Sequence, residues 1–165
     1  MDKNMDANKF LQGRTRETTI VRDSQGRWFH DGQPLVHPNL VKSFDRWVER
    51  AADGRYCLKN DINWAYITLE GPPYFVRSVQ LESDGVRLRL SNDALVPLRG
   101  ETLRQDADGA LYCDVLGDLT ARFDNAAATQ LESLLGEDER GVYLTLAGAR
   151  HYPPVVAQPL SPSQA

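Results

Sequence analysis

The stretch Phe44-Asp45-Arg46-Trp47-Val48-Glu49-Arg50-Ala51-Ala52-Asp53-Gly54-Arg55-Tyr56 decides the fold, because its pattern returns as Leu131-Glu132-Ser133-Leu134-Leu135-Gly136-Glu137-Asp138-Glu139-Arg140-Gly141-Val142-Tyr143. Phe44, Trp47 and Val48 correspond to Leu131, Leu134 and Leu135, and Gly54 and Tyr56 to Gly141 and Tyr143, every pair 87 residues apart. Each copy reads as an amphipathic helix, a charged turn with glycine, and an aromatic-bearing strand that comes back across the helix.

The correspondence continues upstream at a second spacing. Asp23, Gly26, Phe29 and Asp31 match Asp106, Gly109, Tyr112 and Asp114 at 83 residues, which places a four-residue insertion before the second helix. The expected class is α+β, built of duplicated strand-helix-strand units with antiparallel sheets. The expected boundaries are a flexible tail over 1–15, a first repeat over 16–84, a second over 85–152 and a disordered proline-rich tail over 153–165. Phe10 and Leu11 are a docking point within the first tail. Two such units packed on their apolar sides would share a trough, and junctions of this kind are common ligand sites.

Between the tails, Thr18 to Val21 and Trp28 to His30 alternate around Asp23-Ser24-Gln25-Gly26, a hairpin signal. His37-Pro38-Asn39 opens a helix whose stripe is Leu40, Val41, Phe44, Trp47 and Val48, with Lys42, Asp45, Arg46 and Glu49 facing water and Asp53-Gly54 as the stop. Strands are expected over Arg55 to Lys59, Asn63 to Leu69, Tyr74 to Glu82, Gly85 to Leu90, around Val96 and Leu98, Leu111 to Asp114 and Leu119 to Phe123. Gly71-Pro72-Pro73 breaks one strand pair and Ser83-Asp84-Gly85 turns another. The second helix is expected over Asp124 to Leu135, with Asp124 as N-cap and Gly136 as its end.

Composition narrows the function classes. The chain has 165 residues, 41% apolar and 25% charged, so it buries an adequate core without metal or disulfide. A net charge of −4 argues against a protein devoted to neutralising phosphates. No apolar run approaches the length that spans a bilayer, and the N-terminal residues lack a signal-peptide stretch, so the expectation is a cytoplasmic protein with no membrane span. Cys57 and Cys113 alternate with bulky residues and read as small buried hydrophobes.

Candidate chemistry is sparse. His30, Asp31 and His37 form the one local cluster suited to acid–base work in a small hydrolase or transferase. Adjacent strand positions put His30 and Asp31 on opposite faces unless the chain turns between them, and helix capping suffices for His37. Their spacing matches no recurrent zinc pattern, no serine sits in a nucleophile elbow, and no glycine-rich phosphate loop is present. No cofactor is therefore expected and no residue is assigned a catalytic role. Arg87 and Arg89 share a strand face and, with Arg99, Arg77 and Arg104, make a basic patch. A solvated sheet face explains them more simply than nucleic acid does.

The run Gly26-Arg27-Trp28-Phe29-His30-Asp31-Gly32-Gln33-Pro34-Leu35, with Leu40-Val41-x-x-Phe44 and Asp53-Gly54-x-Tyr56-x-Leu58, resembles the bacterial domain of unknown function 1285 family. Ile67-x-Leu69-Glu70-Gly71-Pro72-Pro73-Tyr74-Phe75 and Leu111-Tyr112-x-x-Val115-Leu116-Gly117-Asp118-Leu119-Thr120-Ala121-Arg122 are similar to its later segments. Asn60-Asp61-Ile62-Asn63 departs from the family's Thr-Pro-x-Glu pattern, and its Ser-x-Gly element is missing near Gly148. The resemblance implies a duplicated α+β fold, a second half loosely like a pleckstrin-homology barrel, no established activity, and a binding or signalling role at the junction. The expected function is thus a non-catalytic binding module taking a protein or small ligand between the repeats, with Trp28, His30, Asp31, Tyr74, Phe75 and Arg122 as contact residues.

Overall fold

The expected strands and helices fall into two units in the computed structural model, Met1–Pro73 and Tyr74–Ala165, in which Ala7 and residues 15–160 are described. The content is mixed α+β with mostly antiparallel pairing. The first tail, with Phe10 and Leu11, lies outside the described residues apart from Ala7 and Thr15.

In the first unit, β1 (Val21–Arg22) and β2 (Trp28–His30) pair antiparallel as the hairpin signal predicts. The turn is held by Asp23, whose Oδ1 accepts the Gln25 N–H at 2.9 Å and the Arg27 N–H at 2.8 Å. Burial works against that carboxylate, but these backbone donors and the Arg27 side chain outweigh it and lower its pKa. A second turn was missed in the sequence. Asp31 and Gly32 both have positive φ, +50° and +76°, as a two-residue type I′ turn requires, and they send the chain into β3 (Gln33–Leu35). Pro34 is tolerated because β3 is an edge strand.

Helix α1 (Pro38–Trp47) starts with proline where the unpaired N–H is dispensable. It ends at Trp47, well before Asp53-Gly54. Val48 is already extended and lies opposite Leu58, both buried, so the stripe is completed by a strand. Asp53 and Gly54 instead turn β4 (Val48–Arg50) into β5 (Tyr56–Lys59), with Gly54 at φ +89°. The strand expected over 63–69 divides into β6 (Trp64–Tyr66) and β7 (Thr68–Leu69). At the break the Ile67 N–H bonds Tyr56 O, whereas the Thr68 N–H bonds Ile20 O, so the chain leaves β5 and joins β1 in parallel.

Ile20, Trp28, Leu40, Phe44, Val48, Leu58, Ala65 and Ile67 form this unit's core. Each large side chain fully withdrawn from water contributes about 1.5–3 kcal/mol before entropy is counted. Asp45, expected to face water, is buried in that core. Its Oδ1 accepts from Arg22 Nη1 at 3.2 Å and from Trp28 Nε1 at 2.9 Å. The Arg22 guanidinium, 1% exposed, also donates to the Pro72 and Pro73 carbonyls at 2.8 and 2.6 Å. A carboxylate goes inside here because it meets a buried cation whose other donors are taken up by carbonyls.

The second unit is built on a six-stranded sheet in the order β10-β9-β8-β13-β12-β11. These are β8 (Tyr74–Glu82), β9 (Gly85–Leu90), β10 (Leu95–Pro97), β11 (Arg104–Gln105), β12 (Leu111–Val115) and β13 (Leu119–Phe123). Val86, Leu88 and Leu90 face inward as their spacing predicts. Strand β8, assigned by the sequence to a repeat ending at 84, instead pairs with β9 and with β13, so the units divide at Pro73.

Helix α2 (Asn125–Gln130) and a 3-10 turn (Glu132–Leu134) replace the single helix expected over 124–135. Asp124 makes no side-chain cap, since its carboxylate binds Arg77 at 3.0 Å. Leu135 is extended opposite Leu144 in β14 (Leu135–Asp138), which pairs with β15 (Gly141–Leu146) and, through it, β16 (Ala149–His151). Gly136 is therefore a strand residue; a Cβ there would come within 2.5 Å of the Tyr143 ring. The tail expected to be disordered lies along β11 as far as it is described. Gln105 N–H bonds Pro154 O, Val156 N–H bonds Gln105 O, and Arg104 Nε donates to Pro159 O at 2.6 Å. An edge strand's free backbone groups supply the reason for this order. Residues 161–165 lie outside the described residues.

The second unit opens with β8, β9 and β10, which have no counterpart among the described residues of the first; from β11 onward it follows the first unit's order of two paired strands, a third strand, a helix, a three-stranded meander and a short parallel return. The pair Val21 opposite Phe29 becomes Arg104 opposite Tyr112, at the spacing of 83. The Asp23 turn recurs at Asp106, whose Oδ1 accepts from Asp108 and Ala110. The return of β7 beside β1 has its counterpart in Val155 beside Gln105.

Candidate functional site

Alternation along the β4-β5-β6 meander sorts its side chains onto two faces. Val48, Leu58 and Ala65 enter the core, while Glu49, Cys57, Lys59, Trp64 and Tyr66 share the opposite face, with Glu49 and Tyr66 directly across from Cys57 and Trp64 across from Lys59. The β4–β5 connection carries Ala51, Ala52 and Asp53 to the edge of that face and closes a cleft of about 390 Å³.

One wall of the cleft is rigid for identifiable reasons. The Trp64 and Tyr66 rings meet edge to face at 5.0 Å. Arg16 stands 5.1 Å from the Trp64 ring and donates to its carbonyl, and Arg55 lies 3.6 Å over Tyr66 while gripping Glu17 with two bonds of 2.7 and 2.8 Å. That grip lowers the Glu17 pKa and raises that of Arg55. The Tyr66 hydroxyl donates to Asp53 Oδ2 at 2.7 Å, which lowers the Asp53 pKa and raises that of Tyr66.

The floor is Cys57, 3% exposed. Burial first, and the Glu49 carboxylate second, push its thiol pKa up, so the sulfur stays protonated and unreactive. Glu49 and Lys59 flank it on the rim as exposed side chains with no hydrogen bond or ion pair among the described residues. The arrangement can hold a ligand by aromatic contact and charge, and it presents no activated nucleophile. Among the described residues no group of three or more His, Cys, Asp or Glu could hold a metal ion, and no helix is long and apolar enough to cross a membrane. In the second unit a smaller cleft of about 190 Å³ lies between the β8–β9 turn and the β15–β16 turn.

None of the six contact residues expected from sequence lines the larger cleft. Trp28 is 1% exposed, packed edge to face on Phe44 and bonded to Asp45, so it is a core residue. His30 and Asp31 do come together, Nδ1 to Oδ2 at 3.6 Å, because the chain turns at Asp31; that carboxylate accepts from the Thr19 hydroxyl and serves the turn. His37 occupies the N-cap position but makes no side-chain cap, and its backbone carbonyl accepts from Val41.

Tyr74 and Phe75 are buried. Tyr74 belongs to the second unit's core, and Phe75 pairs with Arg122, whose guanidinium lies 5.8 Å from the Tyr112 ring. The basic patch is spent locally. Arg87 pairs with Glu82 at 3.0 Å, Arg89 donates to Asp93 O, and Arg99 donates to Gly117 O. Cys113 is fully buried and its pKa is pushed up to about 12. The signal that could have found the cleft was the alternation of Cys57, Lys59, Trp64 and Tyr66, legible once 55–59 and 63–66 are paired.

No family model matches the sequence, and no curated protein matches it. Solved structures do. A DUF1285 family protein from Silicibacter pomeroyi aligns with a TM-score of 0.61 at 20% identity, over 85% of this chain and 82% of that one. A second, from Shewanella baltica, aligns with a TM-score of 0.51 at 15% identity, over 68% of this chain and 89% of the other. The chain thus has a DUF1285-like fold, as the sequence resemblance implies.

Proposed function

We propose that this DUF1285-like chain is a non-catalytic, cytoplasmic binding domain whose ligand sits on the outer face of β4-β5-β6. The observation that carries the reading is the cleft: an immobilised aromatic wall and two opposite charges with no side-chain partner among the described residues surround a thiol that burial keeps protonated. Sites of this size with a few polar groups at an apolar floor are typical of small-molecule recognition. The two buried free cysteines suit a reducing compartment.

A fragment screen read by amide chemical shifts tests it. Hits should perturb Glu49, Cys57, Lys59, Trp64 and Tyr66 together, and Trp64→Ala should abolish them while leaving the amide spectrum of the second unit unchanged. Hits that map consistently elsewhere, or hits on this face that survive Trp64→Ala, would refute the assignment.

A further inference from the structure

Resting on that reading, the rim charges identify a class of ligand. Register places Glu49 across from Cys57 and Lys59 two residues along on the same face, so a carboxylate and an ammonium flank one small floor residue from different strands. Neighbouring strands lie about 4.8 Å apart and same-face residues about 7 Å apart, so both flexible side chains reach a group seated above the thiol. The other two charges of the lining are engaged: Asp53 holds the Tyr66 hydroxyl and the Arg55 N–H, and Arg50 Nε points to Gly54 O at 3.4 Å. The face that remains consists of Trp64 and Tyr66 to one side, with Ala51 and Ala52 across the cleft.

We infer that the cleft takes a free α-amino-acid zwitterion with an aromatic or large apolar side chain. Glu49 receives the ammonium, Lys59 the carboxylate, and the side chain lies along Trp64. A net-neutral lining suits a net-neutral ligand, whereas a purely cationic or anionic one leaves a rim charge without a partner. Each charge-assisted contact adds to affinity because the attraction between opposite charges is stronger beside an apolar wall than in bulk water.

Calorimetric titration of the full chain with L-phenylalanine, phenethylamine and 3-phenylpropionate tests this. L-phenylalanine should bind roughly tenfold or more tightly than either singly charged analogue. Glu49→Gln should weaken L-phenylalanine and phenethylamine but spare 3-phenylpropionate, and Lys59→Met should weaken L-phenylalanine and 3-phenylpropionate but spare phenethylamine. Both residues are exposed, so neither variant disturbs the core. Binding of L-phenylalanine no tighter than that of either analogue, or no binding of L-phenylalanine while unrelated fragments still occupy the face, overturns the ligand class and leaves the binding domain standing. Failure of every compound to perturb the face overturns both.

Discussion

Replacing Asp45 by leucine is the most informative perturbation of the first unit, because one carboxylate oxygen serves both a buried guanidinium and a buried indole. Removing one member of a buried ion pair costs about 3–5 kcal/mol when the other is stranded. Arg22 keeps the Pro72 and Pro73 carbonyls, which argues for the lower end, about 3 kcal/mol. The Trp28 N–H loses its acceptor, worth about 1 kcal/mol. The expected loss is therefore about 4 kcal/mol. Asp45→Asn retains an acceptor for Trp28 and gives up the charge, so about 2–3 kcal/mol is expected.

The assay is unusually local. The chain's three tryptophans, Trp28, Trp47 and Trp64, all lie in the first unit, so urea unfolding followed by tryptophan emission reports that unit. With a slope of about 2 kcal/mol/M, the Asp45→Leu midpoint should fall by about 2 M. Adding Arg22→Met should recover much of the loss, since removing both charges leaves neither stranded. A midpoint shift below about 0.5 M for Asp45→Leu would show that the buried cation is satisfied without its carboxylate, and the account of the core would be wrong.

Two further expectations concern acid and the C-terminal segment. Asp23, Asp53, Asp106 and Asp138 all have folded pKa values lowered below 3.8; at Asp53 and Asp138 the first cause is a tyrosine hydroxyl, from Tyr66 and Tyr152, whereas at Asp23 and Asp106 backbone donors overcome an opposing burial effect. The unfolded chain binds these protons first, so the stability is fully present above the unfolded value of 3.8 and is lost as pH falls through the lower folded values. Midpoints measured from about pH 6 down to about pH 2 should hold and then drop, more shallowly in Asp106→Asn; an unchanged acid limb in that variant contradicts the turn's role. Truncation after Tyr152 removes the backbone partners of Gln105 and the Pro159 acceptor of Arg104, at about 0.5–1.5 kcal/mol for each bond. Amide exchange at Gln105 should accelerate accordingly, and unchanged protection there would mean the segment is not held.

The part of this protein that could be read from its sequence was local and periodic. Alternation gave Val86, Leu88 and Leu90 their common face, Asp-x-x-Gly marked the turns at Asp23 and Asp106, and the spacing of 83 matched the strand pair Val21 and Phe29 to Arg104 and Tyr112. These features depend on φ, ψ and side-chain direction within a few residues, which the chain specifies by itself. What needed the tertiary structure was every choice made by a distant partner. Helical periodicity at Val48 and Leu135 yields to pairing with Leu58 and Leu144, and the proline-rich end becomes ordered because β11 offers it a free edge. Asp45 is read as a surface carboxylate until Arg22, twenty-three residues earlier, is seen buried beside it. The candidate site followed the same rule: Cys57 with Lys59 and Trp64 with Tyr66 were legible as alternating pairs, but only the register of three strands placed Glu49 and Tyr66 on either side of one thiol, because register is set by hydrogen bonds between segments and not within them.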